Sequence, residues 1–364
     1  MTRTTVFRPW LLLLLLGSFC TLFIGNVSAQ GGWTPRPVTA SLKGSGATFP
    51  APLYAAWIQA YKKVNPTVTI SYQPVGSGQG QKDFISYLTD FGGSDAALTA
   101  SRVQSEAPDA LHIPTVLGAV VPTYNLPGIA ALRFSPETLA GIYLGAIKKW
   151  DDPRVAADNP GVKLPTTSIT VVYRSDGSGT TSIWTDYLSK ISADWKKQVG
   201  SGNSVRWPVG VGAPGNAGVA STVKNTKGGI GYVELVFALA NKLPVPAVKN
   251  AAGTYITPSL ESASAAAEGI AIPANLVVSL TNSANPKAYP VVGFTYLLVH
   301  STAYTDVAKA QALTDFIYWG LTEGTGAATR LGYAPLPAEM RAKAIAQLAK
   351  VTVGGEHVFT APTR

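Results

Sequence analysis

Hydrophobic positions along this 364-residue chain switch repeatedly between a period near two and a period near 3.6. Short β-branched or alternating runs predict strands at 68–72, 116–124, 169–173, 230–233 and 291–299. Apolar residues at helical spacing predict helices over 53–64, 84–89, 136–147, 182–189, 217–224, 259–268, 305–321 and 337–348. Ser135 followed by Pro136 supplies a cap and a first helical residue whose φ is already set. This alternation predicts an α/β protein with largely parallel sheets. The length is enough for two such lobes, with a ligand between them at the carboxyl ends of strands. The Gly/Pro segment 31–37 reads as a linker, and the tail from Val353 is expected to be loosely held.

The first 29 residues depart from this pattern and read as a secretory signal. Arg3 and Arg8 form a basic start, residues 10–24 an apolar core, and Val27-Ser28-Ala29 a small-residue cleavage site. That core is shorter than the roughly 17–25 residues a spanning helix needs, so cleavage after Ala29 is expected rather than an anchor. Lipid attachment at Cys20 would require a small residue where bulky Phe19 stands. Cys20 is the only cysteine, so the mature chain has no disulfide, thiolate metal site or cysteine nucleophile. Net charge is +9, two of it from Arg3 and Arg8. The remaining basic residues are scattered without a nucleic-acid motif, which suits weak steering of a small anion better than nucleic acid.

The segment richest in candidate chemistry is Tyr173-Arg174-Ser175-Asp176-Gly177-Ser178-Gly179-Thr180-Thr181-Ser182. A β-branched run enters it and a helical pattern leaves it, so it forms a strand-to-helix turn. A helix N-terminus presents unpaired N–H groups and the positive end of the macrodipole. Glycine lets an oxyanion approach the backbone, hydroxyls add donors, and Arg174 adds a planar fork of charged donors. Asp176, two residues on, is placed to hold that guanidinium. The same residue types also cap helices with no ligand present, but the pattern recurs. Gly44-Ser45-Gly46-Ala47-Thr48-Phe49-Pro50 precedes the helical run at 53–64, and Gly76-Ser77-Gly78-Gln79-Gly80 precedes Phe84 and Ile85. Three such turns would aim three dipoles at one anion. A fourth copy, Gly200-Ser201-Gly202, leads into a strand-like segment and reads as a plain loop.

Asp95 changes what that anion must be. Ionised aspartate only accepts hydrogen bonds. It can receive a hydrogen bond from HPO₄²⁻ or H₂PO₄⁻, whereas sulfate has no proton to give. The competing reading is an aspartate capping the turn at Ser94-Asp95. Catalysis finds little support: His112 and His300 end apolar runs, His357 lies in the tail, and neither Ser77 nor Ser178 sits in a Gly-x-Ser-x-Gly elbow. No His/Asp/Glu cluster has metal-ligand spacing. Gly210-Val211-Gly212-Ala213-Pro214-Gly215 matches a dinucleotide fingerprint, yet Pro214 intrudes and no clear βαβ unit surrounds it, so it reads as chance.

From residue 42 to about 337 the chain resembles the exported substrate-binding proteins of phosphate-specific ABC transporters. The resemblance rests on five ordered motifs, at 46–52, 91–96, 142–152, 174–180 and 228–234. It implies a hinged two-lobe periplasmic-binding architecture with ligand in the interlobe cleft. The expected division is a signal peptide at 1–29, a linker at 30–41, lobe I at 42–118 and 292–364, and lobe II at 119–291. It implies that Thr48 and Phe49 hold phosphate oxygens in the first loop and that Ser77 does so at the second helix start. Asp95 would accept the ligand's proton. Arg174, Ser178, Gly179 and Thr180 would be the opposite lobe's donors, with Asp176 paired to the arginine. The implied activity is high-affinity binding of inorganic phosphate, not catalysis, by a periplasmic monomer without cofactor or metal that serves membrane permease subunits. Three departures are modest: Gly78 stands where a hydroxyl residue is common, Ala97 where proline is frequent, and Tyr173 where a basic residue can occur. A receptor for another protonated oxyanion such as arsenate, a secreted phosphate-ester hydrolase and an adhesive envelope protein are the alternatives.

Overall fold

The structure is a computed structural model that describes residues 33–129 and 131–362, so the signal-like segment falls outside the described residues. The chain opens with β1 (Ala40–Gly46), α1 (Ala51–Val64), β2 (Val68–Gln73), α2 (Ser77–Ile85), β3 (Phe91–Ser94) and α3 (Ala100–Glu106). The long strand β4 (Ala110–Tyr124) leads through β5 (Arg133–Phe134), α4 (Pro136–Tyr143) and α5 (Pro153–Asp158) to β6 (Thr170–Arg174). Next come α6 (Gly179–Ile191), α7 (Ala193–Gln198), β7 (Val211–Ala213), α8 (Gly215–Asn225), β8 (Gly229–Glu234) and α9 (Leu235–Ala240). β9 (Ala247–Lys249), β10 (Tyr255–Ile256) and α10 (Leu260–Ala265) precede β11 (Val292–His300). The chain closes with α11 (Val307–Leu321), α12 (Thr325–Leu331), β12 (Ala334–Pro335), α13 (Ala338–Leu348), β13 (Thr352–Val353) and β14 (Glu356–His357).

Nine of these strands form one sheet in the order β2-β1-β3-β11-β4-β8-β6-β7, with β12 beside β4. β2, β1 and β3 are parallel to one another, as are β8, β6 and β7. The middle is different: β11 runs antiparallel to both β3 and β4, and β4 antiparallel to β8. The expected parallel sheets are therefore two parallel flanks joined by an antiparallel centre. β4 changes partner along its length, with Ala110–Ala119 beside β11 and Val120–Tyr124 beside β8.

Pro114 leaves a mark on this centre. It has no N–H to give the ladder, and the β4–β11 register skips Thr115 there, pairing Pro114 with Tyr296 and Val116 with Thr295. The resulting bulge is held by the Thr115 hydroxyl, which donates to the Thr295 carbonyl at 3.3 Å and meets the Tyr54 hydroxyl at 3.1 Å. Bulges re-aim nearby side chains, and Thr295 is one that matters below.

Several expectations about extent change: β4 begins at Ala110 and not at 116, and α4 ends at Tyr143 and not at 147. α2 begins at Ser77, not near 84, because its first turn (Ser77-Gly78-Gln79-Gly80) lacks the apolar residues that mark a helix. The tail is packed: β13 and β14 form a hairpin, Val358 and Phe359 are buried, and the Phe359 ring meets Tyr318 and the Arg36 guanidinium. Arg36 itself lies before β1 and is tied to α11, where its N–H and Nε donate to Asp315 at 2.9 and 3.1 Å.

Candidate anion-binding site

The carboxyl ends of β1, β3 and β6 each release a short turn, and these turns meet. β6 ends in Arg174, which is almost fully buried. Its Nε and Nη2 donate to the two Asp176 oxygens at 2.8 and 2.5 Å, and its Nη1 to Thr180 Oγ1 at 3.4 Å. Asp176 Oδ1 also accepts the Gly215 N–H at 2.9 Å. Burial works against an ionised Asp176, but the Arg174 hydrogen bonds and charge outweigh it, so the carboxyl titrates below the ordinary aspartate range. The arginine is thereby fixed in direction, and its rotamer entropy is lost before any ligand arrives.

Ser178 caps α6, its Oγ accepting the Thr181 N–H at 3.1 Å while its own N–H donates to the Asn203 carbonyl at 2.8 Å. The loop around Gly202 that reads as a plain loop thus braces this turn, and no strand follows it until Val211. Gly179 and Thr180 occupy the first helical positions, where the N–H groups have no partner inside the helix.

Ser77, the first residue of α2, is fully buried against Asp95. Its Oγ accepts the Asp95 N–H at 3.2 Å and donates to Asp95 Oδ2 at 3.5 Å. The Thr295 hydroxyl donates to Asp95 Oδ1 at 2.8 Å. Burial pushes the Asp95 carboxyl up to about 7, against the pull of Thr295, the Arg174 charge, Ser77 and Thr180. The turns are in van der Waals contact: a Cβ on Gly179 would lie 2.5 Å from both Asp95 Cβ and Ser77 Oγ. The Gly78 N–H donates to the Gly177 carbonyl at 2.7 Å, so this residue joins the α2 start to the α6 turn through its backbone instead of offering a hydroxyl.

On the α1 side, Thr48 is buried and its Oγ1 accepts from the backbone N–H and Nδ2 of Asn216, at 3.3 and 2.9 Å. Phe49 follows, its ring buried beside Tyr333, whose hydroxyl donates to the Phe49 carbonyl at 2.7 Å. The structure therefore brings Thr48, Ser77, Asp95, Arg174, Asp176, Ser178, Gly179 and Thr180 into one connected cluster, with Phe49 beside Thr48. Cavities of about 280 and 410 Å³ adjoin it, the first with Asp95 in its wall and the second with Thr48 and Asp176.

Three participants escape a reading of the sequence. Thr295 sits in an unbroken apolar strand with no polar pattern around it. Gly215, the last residue of the glycine pattern at 210–215, and Asn216, the residue after it, begin α8. That pattern does lie in a βαβ unit, since β7 and β8 are both parallel to β6 and α8 connects them. Its helix start is turned to Asp176 and Thr48 through Gly215 and Asn216, with Pro214 as the residue before the helix. Counting it as a further strand–turn–helix start would have found it. The two histidines of the apolar runs are engaged elsewhere. His112 Nε2 accepts the Leu98 N–H at 3.0 Å, and His300 Nδ1 faces the Asp109 carboxylate at 3.0 Å. Among the described residues no group of three or more His, Cys, Asp or Glu has the arrangement of a metal site.

A family model described as the PBP superfamily domain matches residues 33–323. The phosphate-binding protein PstS of Pasteurella multocida is 43% identical over 312 residues, covering 84% of this chain and 89% of that protein. The chain belongs to the PstS family. A PstS from Methanocaldococcus jannaschii is 39% identical, over 83% of each chain. The solved structure of PfluDING, a high-affinity periplasmic phosphate-binding protein bound with phosphate, is similar at a TM-score of 0.67 and 26% identity. It covers 84% of this chain and 93% of that one. The fold is accordingly the two-lobe α/β architecture of PstS, built here on the nine-stranded sheet.

Proposed function

We propose that this protein captures inorganic phosphate outside the cytoplasmic membrane and delivers it to the permease subunits of an ABC-type importer, acting by binding without turnover. Its relatives carry the name phosphate-binding protein. The observation that carries the reading is Asp95: a buried carboxyl, held by Ser77 and Thr295, among helix starts and beside Arg174. Helix N-termini and a guanidinium attract an oxyanion, and Asp95, the carboxylate not paired to Arg174, in its ionised form favours an oxyanion that brings a proton. Arsenate passes the same test; sulfate does not.

In this reading Thr48, Phe49, Ser77, Arg174, Ser178, Gly179 and Thr180 donate to phosphate oxygens, Asp95 accepts the ligand's proton, and Asp176 keeps Arg174 aimed. The lobes are residues 42–118 with 292–364, and 119–291. The change of partner in β4 after Ala119 supports that division. Closure of the lobes encloses the dehydrated anion, and the closed form is what the permease receives. The protein works as a periplasmic monomer after removal of residues 1–29, and among the described residues no helix is long and apolar enough to cross a membrane. The ester-hydrolase alternative has no support from His112, His300 or His357, which are bonded to Leu98, Asp109 and Ala349 and not to Ser77 or Ser178.

Calorimetric titration of the stripped protein tests this. Expected is 1:1 binding of phosphate at about micromolar Kd or tighter, near −8 kcal/mol or beyond, with no heat from sulfate. Silence with both anions would reduce the helix starts to ordinary caps.

A further inference from the structure

Asn216 is fully buried and every polar atom of its amide is used. Its Oδ1 accepts the Glu234 N–H at 2.9 Å, which decides which way round the amide sits, since a backbone N–H cannot accept from an NH₂. Its Nδ2 then gives one hydrogen to Thr48 Oγ1 at 2.9 Å and the other to Thr180 Oγ1 at 3.1 Å. Each hydroxyl receives a second donor: the Asn216 N–H reaches Thr48 at 3.3 Å, and Arg174 Nη1 reaches Thr180 at 3.4 Å. A hydroxyl has two acceptor lone pairs and one proton. With both lone pairs filled, the proton of Thr48 must point at an acceptor elsewhere, and that of Thr180 is turned toward Asp95, whose carboxyl it helps hold down.

We infer that Asn216 is a specificity-determining positioning residue: it locks the Thr48 and Thr180 hydroxyls as obligate donors, so that the site accepts only a ligand rich in acceptor oxygens. A free threonine rotor offers either polarity and would tolerate a donor-bearing solute. Two locked rotors offer one polarity, leaving the Asp95 carboxylate to receive what a ligand donates. The same amide joins the turn before α1 to the starts of α6 and α8, so it forms this bridge only when these segments are together. The inference rests on the phosphate reading and deepens it.

The test is a double-mutant cycle read by phosphate calorimetry on the stripped full chain. Asn216→Asp keeps the oxygen that accepts from Glu234 and replaces the NH₂ with an acceptor, so both hydroxyl protons turn toward the new carboxylate. Phosphate binding is expected to weaken by about a hundredfold or more, as two charge-assisted donors are lost. Thr48→Val alone is expected to cost about tenfold to a hundredfold. Added to Asn216→Asp it should cost less than threefold, because that hydroxyl no longer serves the ligand. A purely structural asparagine, or mere repulsion by the added charge, would leave the Thr48→Val cost unchanged in both backgrounds, and that result overturns the inference. Should Asn216→Asp fail to fold, Asn216→Ser takes its place: it is expected to shrink the Thr48→Val cost several-fold, and an undiminished cost overturns the inference equally. Wild-type protein that binds no phosphate would overturn the phosphate reading itself, a result distinct from wild-type binding with additive costs.

Discussion

Asp95 carries two properties that follow from one burial. Its carboxyl rises to about 7 from an ordinary value of 3.8, and it is the acceptor among donors. Replacing it by asparagine keeps the shape, removes the charge and offers an NH₂. Asp95→Asn is therefore expected to weaken phosphate by about tenfold to a hundredfold and to let sulfate bind measurably. A phosphate-to-sulfate ratio equal to the wild type's in paired titrations would remove Asp95 from the selection. Burial also ties Asp95 to stability. The folded state holds its proton more tightly than the unfolded chain, so ionisation costs stability as pH rises from about 4 to about 7. His112 has the opposite sign: burial lowers it from 6.5 to about 4, and it is neutral where it accepts from Leu98, so stability is lost as pH falls through that window. The two slopes, of similar size and opposite sign, oppose each other in the ligand-free wild type. Denaturant titrations between pH 4 and 7 should show Asp95→Asn losing more stability on acidification than the wild type, and His112→Gln losing less. Parallel curves for all three proteins would refute both assignments.

At the level of elements, the site is a set of helix starts brought into contact. Gly179 is the point of closest approach, with Asp95 and Ser77 each 2.5 Å from where a Cβ would stand. Alanine suits a first helical turn, so if phosphate-free lobes stand apart, as the proposed closure requires, Gly179→Ala should fold with unchanged or slightly higher stability in the absence of phosphate, the 2.5 Å clash arising only on closure. It should bind phosphate at least a hundredfold more weakly, because the α6 start can no longer seat against Ser77 and Asp95. A loss of melting temperature without ligand, or intact affinity, would contradict that separation. Part of this was legible in the chain: β2, β6, β8, α1 and α11 fall within two residues of where periodicity puts them, and the turns at 44–50, 76–80 and 174–180 stand out by composition, whereas the short or glycine-rich strands β1, β3 and β7 show no such period. The antiparallel centre was not, because strand direction depends on where a long excursion such as 257–291 returns the chain, and no local pattern records that. Nor was Thr295: a single threonine in a buried strand becomes polar in role only when Pro114 bulges the neighbour and Asp95 arrives from β3.

The whole molecule turns on β4 and β11. β4 pairs with β11 up to Ala119 and with β8 beyond it, so one strand belongs to both flanks of the sheet. β11 lies between β3 and β4 and delivers Thr295 to Asp95, coupling the sheet's centre to the site. A ligand held as proposed by residues from both flanks, Thr48, Ser77 and Asp95 on one and Arg174 and Thr180 on the other, should stabilise both together. Binding to the folded state alone adds RT ln(1 + [L]/Kd), about 4 kcal/mol at a thousandfold excess over Kd. Because β4 is shared, unfolding should remain a single transition whose midpoint moves up as a whole with phosphate and stays put with equal sulfate. Scanning calorimetry across a phosphate series reads this directly. Two transitions of which phosphate moves only one would mean that the lobes fold independently and that the anion is held by one of them. The shared strand would then be a passive connection, and the site would have to be rebuilt from the donors of a single flank.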